Sequence, residues 1–149
     1  MEFSLLAQSF RDEVTRLGVQ ELRTPEEVDA VLMKTPGTVL VFINSVCGCA
    51  GGIARPALAQ ALKHKTLPEK LTTVFASGDR EATARAREYF TGMPPSSPSV
   101  ALLRGGKLLH MIHRYQIETS TPVGVAAMLT EVFDTYCRSD LRQQVPAAK

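Results

Sequence analysis

The chain has 149 residues, of which 44% are hydrophobic and 21% charged. These are the proportions of one soluble globular domain, long enough to bury a core without disulfide staples or a structural metal. A net charge of +2, 6% aromatic residues and no Trp give no electrostatic or stacking case for nucleic acid or an anionic membrane as partner.

No apolar run is long enough to span a bilayer. The N-terminal apolar residues are interrupted by Gln8, Arg11, Asp12 and Glu13, which breaks the block a signal peptide needs. The chain therefore reads as cytoplasmic, and as a single domain over 1–149 with an N-terminal helix over 1–18 and a polar tail over 138–149.

Phe3, Leu6, Phe10, Val14 and Leu17 are spaced as one face of a helix that stops at Gly18. Thr24 as N-cap, Pro25 in the first turn and Glu27 closing a capping box open a second helix, ended by Pro36-Gly37. TVLVFI at 38–43 is a continuous apolar run rich in β-branched residues, which predicts a central strand buried on both faces. An Ala-rich helix runs from Cys47 to about His64, with Pro56 expected to kink it. LTTVFA at 71–76 is a second buried strand, and a helix from Ser77 or Asp79 to about Phe90 stops at Gly92. After the loop MPPSSPS, residues 100–103 and 107–112 read as a hairpin about Arg104-Gly105-Gly106. Ser120-Thr121-Pro122 opens the last helix, whose apolar stripe is Ala126, Leu129, Phe133 and Tyr136.

This order predicts an α/β fold: a three-layer sandwich with a central mixed sheet of about four strands and helices on both faces. The layout resembles that of thioredoxin-like folds.

Chemistry concentrates at Cys47-Gly48-Cys49, between the central strand and the helix that follows it. Sites in open α/β sheets form beyond the carboxyl ends of strands. A sulfur at a helix N-terminus meets unpaired N–H groups and the positive end of the dipole, which favours thiolate, the form that attacks a disulfide. Cys47, the outer residue, is the expected nucleophile and Cys49 the resolving thiol. A disulfide across one intervening residue closes a tighter ring than CxxC and needs the latitude of Gly48. Strain makes such a disulfide easier to reduce, so a thiol carrier or weak oxidant is expected. Two other readings stand beside this one: a metal or iron–sulfur module using Cys47, Cys49 and Cys137, and cysteines with no chemical role. Zinc normally takes four ligands, and no second paired motif is present, so no metal is assigned.

Ser97-Pro98 directly precedes the third strand. In thioredoxin-like folds a cis proline at that place lies across from the active cysteine, and the residue before it offers backbone bonds to substrate. By that analogy Ser97 and Pro98 are candidate substrate contacts; Gly48 joins them through the family resemblance described below. Gly51 and Gly52 sit where glycine is costly in a helix, for substrate approach or for close packing on the sheet. Cys137 reads as a small buried apolar residue, His110 and His113 as structural or solvated, and Arg55 as part of a solvated helix face.

Asn44-Ser45-Val46-Cys47-Gly48-Cys49-Ala50 with Ala54-Arg55-Pro56 resembles the bacilliredoxin family, small bacterial thioredoxin-fold proteins with a CGC active site. So do residues 17–29 (LGVQELRTPEEVD), 92–100 (GMPPSSPSV), 106–110, Gln116-Ile117-Glu118 and the ending Phe133-Asp134-Thr135-Tyr136-Cys137. The resemblance implies a thiol-disulfide oxidoreductase that takes bacillithiol, or a similar low-molecular-weight thiol, off S-thiolated client proteins. Cys47 would accept the thiol and Cys49 release it. That thiol would be a co-substrate, and no cofactor is expected. A general disulfide isomerase, a redox sensor, or a pure interaction protein using the 94–99 loop are the competing functions.

Overall fold

The structure, a computed structural model, describes residues 2–138, with side chains from Leu5 onward. Its elements in chain order are α1 (Glu2–Thr15), β1 (Gln20–Glu21), α2 (Pro25–Lys34), β2 (Thr38–Asn44), a π-helical turn (Ala50–Ala54) running into α3 (Arg55–Ala61), β3 (Lys70–Phe75), α4 (Arg80–Glu88), β4 (Ser99–Arg104), β5 (Lys107–Ile112), α5 (Arg114–Glu118) and α6 (Pro122–Tyr136). The polar tail expected after Arg138 lies outside the described residues.

The strands form one mixed sheet in the order β1-β3-β2-β4-β5. β1, β3 and β2 run parallel, β4 runs antiparallel to β2, and β5 antiparallel to β4, as the crossover helices and the hairpin require. Every residue of β2 is buried, which is why its sequence shows no alternation of polar and apolar positions. Its side chains nonetheless alternate in direction. Leu40 and Phe42 enter a core with Leu58 of α3 and with Leu129 and Phe133 of α6. Val39, Val41 and Ile43 enter a second core with Val28 and Leu32 of α2 and Ala82 and Ala86 of α4. Helices thus cover both faces and β2 is held from each side.

The sheet has five strands rather than about four. β1 is only Gln20–Glu21, a polar pair at the sheet edge with no apolar run to announce it. α5 was also not foreseen: it is five residues long, with Ile117 as its one buried residue. The predicted apolar face of α1 is only half used. Val14 is fully buried but Leu6 is 54% exposed, so the helix docks through its C-terminal half. At α2, Thr24 accepts the Glu27 N–H at 3.1 Å as expected. The Glu27 carboxylate, however, reaches back to the Arg23 N–H at 2.7 Å, one residue earlier than a capping box requires.

The arrangement fixes where the cysteines go. β2 leads into Cys47 at its C-terminal end, and its register sets Ile43 opposite Ser99. The Ser97-Pro98 peptide therefore sits beside the turn that carries Cys47. The helix after Cys47 widens ahead of Pro56: the Arg55 N–H bonds to the Ala50 carbonyl, five residues back. Pro56, which has no N–H, then falls in the first turn of α3, where none is needed.

Candidate active site

The turn from Asn44 to Cys47 is pinned at each residue. The Asn44 amide donates to the Phe10 carbonyl of α1 at 3.1 Å, and its oxygen accepts the Ser45 N–H at 2.9 Å. The Val46 N–H donates to the Ser77 hydroxyl at 3.1 Å. A buried cation completes this support. Arg55, only 3% exposed, donates through Nη1 to the Ser45 carbonyl at 2.8 Å and to Asn44 Oδ1 at 3.0 Å. Its Nε donates to Glu13 of α1 at 2.6 Å, and its guanidinium lies 4.4 Å over the Phe10 ring.

These contacts correct the sequence reading of Arg55 and give Gly51 a packing neighbour. Arg55 is not on a solvated face, because α1 folds over it and supplies both its counter-ion and its aromatic lid. At Gly51 the close neighbour is Arg55 and not the sheet: a Cβ there would stand 2.8 Å from an Arg55 guanidinium nitrogen. At Gly52 a Cβ would meet open space.

Cys47 occupies the N-cap position of the helix. Its carbonyl accepts the Ala50 and Gly51 N–H groups at 3.2 and 3.3 Å. Its sulfur accepts the Ser45 hydroxyl at 3.3 Å and also meets the N–H groups of Cys49 and Ala50. Partial burial pushes the Cys47 thiol up, but the Ser45 hydroxyl, the Ala50 N–H, the Arg114 charge and the Cys49 N–H together bring it below the ordinary thiol value. Gly48 is exposed and Cys49 half-buried, already in right-handed helical conformation (φ −64°, ψ −35°). Cys47 and Cys49 are free thiols.

The Ser97-Pro98 peptide is cis, with Pro98 buried and Ser97 half-buried. Arg114 connects it to the sulfurs. This side chain donates to the Ser97 carbonyl at 3.2 Å, bonds the Cys49 sulfur and faces Cys47. Cys47, Cys49 and Glu118 beside it hold its guanidinium above the ordinary arginine value. Arg114, Ser45 and Glu13 were absent from the sequence reading of the site. The signal for Arg114 lay in its position just before Gln116-Ile117-Glu118, and that for Ser45 in the string preceding Cys47.

Cys137 is elsewhere. It is fully buried in the α3/α6 core, and its sulfur accepts the Thr38 hydroxyl at 3.3 Å. Thr38 begins β2 and Asn44 ends it. Six strand steps separate them, about 20 Å at ~3.3 Å each. The three cysteines do not form one ligand set, and among the described residues no group of three His, Cys, Asp or Glu converges as a metal site would need.

A reactive thiol at the N-terminus of a helix, a second thiol two residues on, and a cis-proline loop beside them form a disulfide-exchange site in geometry. The comparisons agree. A family model described as disulphide isomerase matches residues 3–137. A bacilliredoxin of Geobacillus kaustophilus is 58% identical over 132 residues, covering 89% of this chain and 90% of its own. The chain belongs to the bacilliredoxin family. A Koribacter versatilis bacilliredoxin is 54% identical over 85% of this chain and 88% of its own, and a Staphylococcus aureus one 53% over 89% and 90%. Thioredoxin of Fasciola hepatica superposes with a TM-score of 0.56 at 16% identity, covering 79% of this chain and 99% of that one. Thioredoxin of Malassezia sympodialis gives 0.56 at 14%, covering 77% and 90%. Like other bacilliredoxins, the protein is a thiol-disulfide oxidoreductase, built on a thioredoxin-like fold.

Proposed function

We propose that the enzyme removes a low-molecular-weight thiol, bacillithiol or a similar one, from S-thiolated client proteins in the cytoplasm, with Cys47 as nucleophile and Cys49 as resolving thiol. The observation that carries this reading is the set of donors at the Cys47 sulfur: the Ser45 hydroxyl and two N–H groups of the helix, with the Arg114 charge beside it. Those groups favour the thiolate, and no described helix is long and apolar enough to cross a membrane.

The steps balance as two exchanges. The Cys47 thiolate attacks the low-molecular-weight sulfur of the mixed disulfide. A new disulfide forms on Cys47, the old one breaks, and the client leaves as a thiolate that takes a proton from water. Cys49 then loses its proton to water and attacks the Cys47 sulfur. A Cys47–Cys49 disulfide forms and the small thiol leaves. The client cysteine is reduced and the two enzyme thiols are oxidised; a second thiol or dithiol reductant returns them. Gly48, exposed between the two cysteines, and the Ser97 backbone beside Pro98 are where substrate contacts fall.

Intact mass after exposure to a bacillithiolated peptide tests the assignment. Cys49→Ala is expected to retain one added thiol on Cys47 while the wild type clears it. An unmodified Cys47 in both, with the thiol accessible, would overturn it. The family description favours a second reading, disulfide isomerisation, which predicts turnover of a scrambled protein substrate instead.

A further inference from the structure

A groove of about 400 Å³ lies beside the cysteine turn, with Pro94 and Pro95 on one wall and Arg114, Tyr115 and Glu118 on the other. Arg114 joins groove and thiols, since it lines the one and bonds the Cys49 sulfur of the other. Glu118 Oε1 lies 3.3 Å from Arg114 Nε, one helical turn along α5. The groove thus presents one cation and one anion side by side. The rest of its lining is Pro94, Pro95, Ser96, His113 and the Tyr115 ring, which is 66% exposed and stacked on His113 at 5.6 Å. A second groove, of about 330 Å³, is lined by His110, Gln116 and Tyr136 and does not include Arg114, the residue that links the first to the cysteines. The first has the size that takes a small organic molecule rather than a folded client.

We infer that this groove receives the low-molecular-weight half of the mixed disulfide and selects a zwitterionic thiol, its carboxylate on Arg114 and its ammonium on Glu118. The inference rests on the thiol-removal reading above and adds the chemical class of the thiol. The Arg114–Glu118 pair is 44% and 43% exposed, and such pairs hold each other weakly, so a ligand can part them at little cost. A ligand with both charges satisfies both side chains. One with a single charge pairs with only one of the two and breaks the pair without replacing it for the other. Arginine also offers a carboxylate two parallel donors.

Binding in this groove has a consequence for which sulfur is attacked. A small thiol held on Arg114, whose charge acts on Cys47, turns its sulfur toward Cys47, and attack there makes the client the leaving group. Cys49, bonded to Arg114, is then next to the disulfide it must resolve.

The test uses Cys49→Ala protein and one client peptide linked in turn to cysteine, 3-mercaptopropionate, cysteamine and 2-mercaptoethanol. Intact mass follows transfer to Cys47, each rate being divided by that with dithiothreitol to remove intrinsic reactivity. The cysteine adduct is expected to react about tenfold faster than the 2-mercaptoethanol one, since each exposed charge contact contributes a few-fold. Arg114→Gln should abolish the advantage of the carboxylate and Glu118→Gln that of the ammonium. A change in Cys47 thiolate content in Arg114→Gln scales all four rates alike, so the ratios remain the readout. Equal normalised rates in the parent protein, or ratios that neither substitution moves, would overturn the groove assignment while leaving thiol removal standing. No transfer from any of the four adducts would instead overturn thiol removal itself.

Discussion

Ser45 and Cys47 face each other across the turn that leaves β2, hydroxyl to sulfur at 3.3 Å. The bond is made before any substrate arrives, because Arg55 holds the Ser45 carbonyl and Asn44 holds the Ser45 N–H. A hydroxyl donor stabilises the thiolate more than the thiol, so its loss moves Cys47 back toward the ordinary thiol value. Ser45→Ala should therefore slow alkylation of Cys47 by about three- to tenfold at neutral pH. The sign sets the pH dependence: the deficit shrinks as pH rises, because both proteins become fully thiolate. Rates with iodoacetamide across pH, in a Cys49→Ala background, measure this. A deficit that persists at high pH would mean the turn itself had moved.

Gly51 and Gly52 are adjacent in sequence and opposite in consequence. Alanine is the better helix former by roughly 1 kcal/mol. At Gly52 the added methyl meets nothing, so Gly52→Ala should stabilise by up to about 1 kcal/mol. At Gly51 it meets the Arg55 guanidinium at 2.8 Å. That group cannot swing aside, since Glu13, Asn44, Ser45 and the Phe10 ring hold it. Gly51→Ala should therefore destabilise by about 1–3 kcal/mol, as overpacking does. Urea unfolding of the two variants checks the difference in sign.

What the sequence revealed follows from how local each signal is. The central strand, the cap at Thr24 and the placement of Cys47 at the start of a helix are written in contiguous residues, and the thioredoxin-like layout follows from their order. Arg55 is different. A charged residue in a helix reads as solvated unless its partner is known, and Glu13 is 42 positions away in sequence. The same holds for Arg114, which reaches Ser97 and Cys49 only once β5 and α5 have folded back over the start of β4. β1 was invisible because two edge residues paired with Thr72 and Thr73 need no apolar pattern of their own.

Cys137 offers a control on the catalytic reading. Its sulfur is buried at the Thr38 end of β2, with the whole strand between it and Cys47. Cys137→Ala should leave transfer and release of the small thiol within about twofold of wild type, since distant sites act independently. It should also cost about 1–2 kcal/mol of stability, from a lost sulfur in a packed core. Single-turnover mass spectrometry and a thermal melt read the two effects. A defect confined to release would assign Cys137 a part in resolution.

Oxidation and folding are linked at the first turn of the active-site helix. Cys49 is already helical, and residues two apart on a helix point to different sides. Joining Cys47 to Cys49 therefore needs backbone movement, since side chains that diverge cannot be bridged in place. It also withdraws the Cys47 sulfur from the Ser45 hydroxyl and from the N–H groups of Cys49 and Ala50. All of these favour the reduced protein. The oxidised form should melt at a lower temperature than the reduced form, by about 4 °C or less for each 1 kcal/mol at this size. By linkage, a fold more stable when reduced is an oxidising couple, so the same protein should equilibrate with glutathione buffers at a potential above that of thioredoxin, about −270 mV. Melts of the two forms, with disulfide content checked by mass, decide it. An oxidised form as stable as the reduced one would mean the helix already accommodates the bridge, and the expected oxidising character would be lost with it.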